Sequence, residues 1–157
     1  MTFNLTKDQI EIQQRARQIA STLVAENAVE VDKSEQYPWD NVKALTDAGF
    51  VGMTIPKEYG GPGRSFLEAN LVVEEMAAYC GPTGRIAVEA NMGAISAVMH
   101  YGTDFQKRLA AELVLAGDKP AICITEPDAG SAASQMTTRA DKRGDKYCLL
   151  YTSDAAD

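Results

Sequence analysis

The chain has 157 residues, 45% of them hydrophobic, and a formal net charge of −7. That length suits one domain of ordinary size, or one domain plus part of another, and the apolar content excludes a disordered chain. The acidic balance argues against nucleic acid or an anionic membrane as a partner, and no apolar run is long enough to span a bilayer.

Thr6 with Gln9 forms a capping-box pattern, and Ile10, Ala16, Ile19, Ala20, Leu23 and Val24 follow at helical spacing. Pro38 suits the first turn of a second helix carrying Trp39, Val42 and Leu45, which Gly49 ends. Residues 53–64 (M-T-I-P-K-E-Y-G-G-P-G-R) then read as a loop, and its G-G-P-G lacks the Lys-Ser/Thr of a P-loop. Ser65 with Glu68 repeats the capping box and opens a third helix through Cys80, on which Glu74-Glu75 reads as a solvated face. Gly81-Pro82 breaks it. A fourth helix is predicted from about residue 83 to 101, and Thr103 with Gln106 opens a fifth that ends near Gly117. Met53, Met76, Met92 and Met99 read as core or pocket filler.

From Lys119 the period changes. Ile122 and Ile124, then residues 136–140, then residues 147–151 read as short strands, with turns such as Arg143-Gly144-Asp145 between them. The chain is thus expected to be α+β: an all-α unit over residues 1–118, then the start of a β domain over 119–147.

The stretch 121–131, A-I-C-I-T-E-P-D-A-G-S, carries most of the chemistry. Its apolar run delivers the Thr125 hydroxyl into Glu126-Pro127, and Pro127 stops a ladder because it has no N–H. Gly130 frees the backbone to turn, and Ser131 adds a second hydroxyl. Converging amides and hydroxyls suit a planar, hydrogen-bonding ligand with phosphates, while the same residues also read as an ordinary turn. Arg85 is the second point of interest. A guanidinium suits a short anionic group gripped by a bidentate fork, but Glu89 sits four residues on and offers an ordinary helical ion pair.

In order and spacing, these segments resemble the acyl-CoA dehydrogenase family. Residues 48–53 (A-G-F-V-G-M) and 55–61 (I-P-K-E-Y-G-G) look like its Gly–Pro–Tyr-Gly-Gly loop, and residues 101–107 (Y-G-T-D-F-Q-K) like its YGT-x-x-QK helix start. Residues 121–131 resemble its flavin-contacting motif, and T-T-R-A at 137–140 and G-D-K-Y at 144–147 fit the strands that follow. The resemblance implies a helical N-terminal domain followed by a β-barrel domain, here cut off in mid-domain, with a C-terminal helical bundle absent. It implies FAD as cofactor, contacted by the backbone of Ile122, Cys123 and Ile124, the Thr125 hydroxyl, amides near Gly130, and Ser131. Ser131 would also border the acyl-CoA substrate, and Arg85 would lie at the far end of the acyl pocket. In the family a carboxylate base takes the α-proton while the β-hydride passes to the flavin; that glutamate belongs to the C-terminal domain, so no catalytic residue is assigned here. Where the family reads Gly-Ser-Asp, this chain has Gly130-Ser131-Ala132 and lacks the orienting carboxylate.

Residues 36–42 (Q-Y-P-W-D-N-V), 113–124 (L-V-L-A-G-D-K-P-A-I-C-I) and 130–134 (G-S-A-A-S) resemble a branch of the family that releases sulfite from 3-sulfinopropanoyl-CoA. The expected function is therefore an FAD-dependent acyl-CoA dehydrogenase acting on a short thioester, with the desulfinase as the alternative. A non-catalytic helical interaction module is a further alternative. The resemblance also implies a homo-oligomer, tetramer or dimer, when full length, and an electron-transfer flavoprotein as partner of a true dehydrogenase.

Three widely spaced cysteines, Cys80, Cys123 and Cys148, make neither a zinc pattern nor a disulfide framework, and His100 is the only histidine. No metal site is expected. The start M-T-F-N-L-T-K-D lacks the features of a secretory signal, so a cytoplasmic location is expected. Residues 148–157 (C-L-L-Y-T-S-D-A-A-D) depart from the family pattern of Asn-Gly, a lysine and Trp-Ile-Thr, and read as a tail foreign to the gene.

Overall fold

The structure, a computed structural model, describes residues 4–150. The chain divides into two units, the first ending at Ala121 and the second beginning at Ile122.

The first unit is helical. α1 (Lys7–Ile19) opens on the Thr6–Gln9 capping box and continues through a π-helical segment, Ala20–Val24, into α2 (Ala25–Ser34). The Thr22 and Ser21 hydroxyls donate to the Gln18 carbonyl at 2.8 and 3.3 Å. They compete with the backbone for that acceptor where the ladder widens. Glu35, at φ +54°, ends the helix. α3 (Trp39–Asp47) takes Pro38 as its cap rather than within its first turn, and Gly49 at φ +73° follows its end. After the loop, α4 (Phe66–Ala77) opens on the Ser65–Glu68 capping box and stops short of Cys80. Cys80 instead caps α5 (Gly81–Asn91), which carries Pro82 in its first turn, where a missing N–H costs nothing.

The predicted fourth helix is two helices. The chain breaks at Met92-Gly93 before α6 (Ala94–Tyr101), and the Glu89 carboxylate fills the space that a Gly93 side chain would need. α7 (Asp104–Leu115) opens on the Thr103–Gln106 capping box.

Ala16, Ala20 and Val24 of the long first helix and Ala69, Val72 and Met76 of α4 are fully buried in one core, with Leu45, Phe50, Met53 and Ile55. Side chains of the size of Phe50 and Leu45 stabilise by about 1.5–3 kcal/mol each when buried. Met53 and Met76 are buried in this core and Met92 and Met99, partly buried, pack against it, as core filler. Glu74 is exposed, but Glu75 is not the solvated residue expected. It is buried, and the Arg17 guanidinium donates to its two oxygens at 2.7 and 3.0 Å. It lies on the face of α4 that meets α1, where a carboxylate needs a partner. Asn41 links three helices: it accepts from Asn27 and donates to Thr83, both at 2.9 Å.

In the second unit a 3-10 turn, Ala133–Gln135, precedes an antiparallel hairpin of β1 (Arg139–Arg143) and β2 (Lys146–Leu150). Its two-residue loop has Gly144 at φ +67°, which a side chain would disfavour. The strand expected at Ile122 and Ile124 is not formed. A strand takes its hydrogen bonds from a neighbour, and β1 and β2 pair with each other. The strand expected at 136–140 begins only at Arg139, because Met136 caps the 3-10 turn. Cys148 and Leu149, in the tail read as foreign, pair with Asp141 and Ala140, while Tyr151 and the rest of that tail lie outside the described residues. No helix among the described residues is long and apolar enough to cross a membrane.

Candidate functional site

The stretch 122–131 is organised around one β-turn. The Ala129 N–H donates to the Glu126 carbonyl at 3.2 Å and the Glu126 N–H returns the bond to Ala129 at 3.2 Å. Pro127 occupies the second turn position, where its fixed φ is favourable. The turn reading of T-E-P-D-A-G-S is thus realised locally. Gly130 is not in the left-handed region, so Pro127-Asp128 makes the turn and the freedom of Gly130 does not.

Glu126, a residue the sequence did not single out, holds this turn against the start of the hairpin. Its carboxylate accepts from the Thr137 N–H at 2.8 Å, the Thr137 hydroxyl at 3.2 Å and the Thr138 N–H at 2.7 Å. These donors, the Thr137 amide foremost, favour the ionised form and hold the group at about 2, well below its ordinary 4.5. A separation of 11 and 12 residues follows no local periodicity, so only the Thr-Thr pair before a strand hints at it.

On either side of that clamp, hydrogen-bonding groups stand unspent. Among the described residues no hydrogen bond engages the amides of residues 122–125, Gly130 or Ser131, nor the hydroxyls of Thr125 and Ser131. Ile122, Cys123, Ile124, Thr125, Gly130 and Ser131 are all exposed, and a Cβ on Gly130 would meet nothing within 4 Å. Thr125 does not bond back to its own turn. Such a donor set fits a ligand with a flat hydrogen-bonding edge and a pyrophosphate.

Arg85 lies on α5 in the helical unit, where the ion pair with Glu89 is formed. The arrangement is more built than a surface pair. Glu89 is largely buried, its second oxygen accepts from the Ala94 N–H at 3.2 Å, and the absent side chain of Gly93 makes room for it. The Arg85 side chain keeps 66% of its surface exposed, so a fixed carboxylate orients one edge of a guanidinium whose remainder faces solvent. Among the described residues no group of three or more His, Cys, Asp or Glu is placed to hold a metal ion.

Comparison with known proteins identifies the family. The family described as "Acyl-CoA dehydrogenase, N-terminal domain" matches residues 6–118. A 3-sulfinopropanoyl-CoA desulfinase of Variovorax paradoxus is 60% identical over 147 residues, covering 94% of this chain and 37% of that one. The short-chain-specific acyl-CoA dehydrogenase of Clostridium acetobutylicum is 35% identical over 150 residues, covering 95% of this chain and 40% of that one. Among solved structures, a glutaryl-CoA dehydrogenase from Mycobacterium smegmatis in complex with FADH2 superposes with a TM-score of 0.82 at 27% identity. That match covers 92% of this chain and 38% of the other. The chain therefore spans well under half the length of the relatives it matches.

Proposed function

The chain belongs to the acyl-CoA dehydrogenase family, and from that premise we propose that the full-length protein is an FAD-dependent enzyme acting at the α and β carbons of a short acyl-CoA thioester. The observation that carries this reading is the row of unspent amides and hydroxyls on residues 122–131, pinned at its middle by Glu126. The backbone of Ile122, Cys123 and Ile124 and the Thr125 hydroxyl would hold the flavin ring, and amides at Gly130 with Ser131 would hold the pyrophosphate. Ser131 would also border the acyl-CoA. FAD, when bound, supplies the hydride-accepting chemistry. The residues of this chain bind and orient, and their N–H and O–H donors favour negative charge wherever they meet it. A dehydrogenase would pass its electrons to an electron-transfer flavoprotein, and the full-length protein would be a homo-oligomer, tetramer or dimer.

A second reading is desulfination of 3-sulfinopropanoyl-CoA, with release of sulfite and no net electron transfer to an acceptor. It is favoured by one observation, the 60% identity to a relative named for that reaction against 35% to a named dehydrogenase. In this reading the outward edge of Arg85, oriented by Glu89, takes the sulfinate.

The full-length protein would be assayed on 3-sulfinopropanoyl-CoA for sulfite release, and on straight-chain short acyl-CoA for reduction of an electron acceptor. Sulfite release that disappears in Arg85→Ala supports the second reading. Efficient acceptor reduction with straight-chain substrate supports the first. Flavin-free protein that turns over neither leaves only the non-catalytic module.

A further inference from the structure

The chain leaves the helical unit through a short segment that is fastened twice. Gly117, at φ +90°, closes α7: its N–H donates to the Val114 carbonyl at 2.9 Å, and the Asp118 N–H reaches the Leu113 carbonyl at 3.0 Å. This ending needs the left-handed conformation that glycine adopts freely. Gly117 also lies against Thr46 of α3, whose hydroxyl oxygen is 2.8 Å from where a Cβ would stand.

Two residues later the Lys119 ammonium sits over two aromatic rings, 5.0 Å from the centroid of Tyr37 and 5.7 Å from that of Trp39. The rings meet edge to face at 4.7 Å, on either side of Pro38. The Lys119 N–H is turned toward the Asp118 carboxylate at 2.8 Å. The Q-Y-P-W stretch and the G-D-K-P stretch, far apart in sequence, are thus joined here. Only Pro120 and Ala121 separate this contact from Ile122. Three residues reach at most about 10 Å, so freedom lost at Lys119 is freedom lost at the start of the stretch 122–131.

We propose that Lys119 on the Tyr37–Trp39 pair is a latch that fixes where the polypeptide leaves the helical unit, which makes these three residues positioning residues for FAD binding. The proposal rests on the FAD reading given above. The latch pre-orders the entry to the flavin-contacting stretch, so that less ordering remains to be done when FAD binds. A neutral side chain at position 119 loses the attraction to both ring faces, whereas arginine keeps it.

The test compares full-length wild type, K119M and K119R by hydrogen exchange over residues 36–42 and 117–125 and by FAD affinity from flavin fluorescence. K119M is expected to exchange faster in both segments and to bind FAD about five- to thirtyfold more weakly, the ratio that two exposed ring contacts supply. K119R is expected to match wild type in both. Lys119 is exposed and outside the core, so the remaining helices should exchange as in wild type. K119M with unchanged exchange and unchanged FAD affinity overturns the latch, as does K119R behaving like K119M. Wild-type protein that binds no FAD overturns the FAD reading instead, and its exchange in K119M still decides whether the contact holds the exit.

Discussion

Asn91, at the end of α5, has its side-chain amide engaged on both sides in the core. Its oxygen accepts from the Met53 N–H at 2.7 Å, and its nitrogen donates to the carbonyls of Phe50 and Ala87 at 2.8 and 2.9 Å. It thereby holds the G-F-V-G-M loop against α5, the helix that carries Arg85. Asn91→Ala would leave those groups without partners in a dry interior, and we expect a loss of about 2–4 kcal/mol in denaturant unfolding. Glu126 offers a pH prediction. Its folded-state pKa lies below its ordinary value, so its clamp is at full strength above about 4.5 and is lost as pH falls from there through about 2. The protection factors of the Thr137 and Thr138 amides, which correct exchange for its intrinsic pH dependence, are expected to fall over that window and stay flat between pH 5 and 7; Glu126→Gln should remove the step. For Arg85, the exposed edge left by Glu89 predicts a selective effect. Arg85→Ala should raise KM for an acyl-CoA with an anionic tail on the order of ten- to a hundredfold, as for a lost charge-assisted hydrogen bond, and leave neutral short acyl-CoA nearly unchanged.

At the scale of the element, the three capping boxes were readable in the sequence because each is a local pattern of residue types three positions apart. Their contribution is measurable: Ser65→Ala should destabilise by about 1 kcal/mol, read as a lower midpoint in chemical denaturation with an unchanged slope. Other features escaped the sequence for a common reason, which is that a neighbour decides them. Glu75 is polar, yet α1 lies across its face and Arg17 supplies its partner. The π-helical segment at Ala20–Val24 coincides with side-chain hydroxyls that share the Gln18 carbonyl, which no apolar periodicity records. Helices α5 and α6 read as one because their apolar residues keep a helical period across Met92-Gly93, while the break comes from Glu89 reaching to the Ala94 amide. The β-propensity of Ile122 and Ile124 is real, but a ladder needs a second strand. The candidate site was legible as a set of residue types on 122–131, and Arg85 with Glu89 was legible as a pair. The Glu126 clamp was not, since its partners lie beyond any local spacing.

At the scale of the molecule, the described residues of the helical unit form a continuous core with satisfied buried polar groups, whereas those of the unit beginning at Ile122 form one hairpin and a turn. Membership of the family and the unspent donors on residues 122–131 are the two observations behind the proposal that this stretch holds a flavin in the full-length protein. The most direct test of that claim is the flavin content of purified full-length protein, wild type beside a Thr125→Val/Ser131→Ala variant. The account predicts yellow wild-type protein that releases stoichiometric FAD on denaturation, and a variant that folds but retains much less. Colourless wild-type protein that takes up no added FAD, or a variant that holds FAD as tightly as wild type, would contradict it.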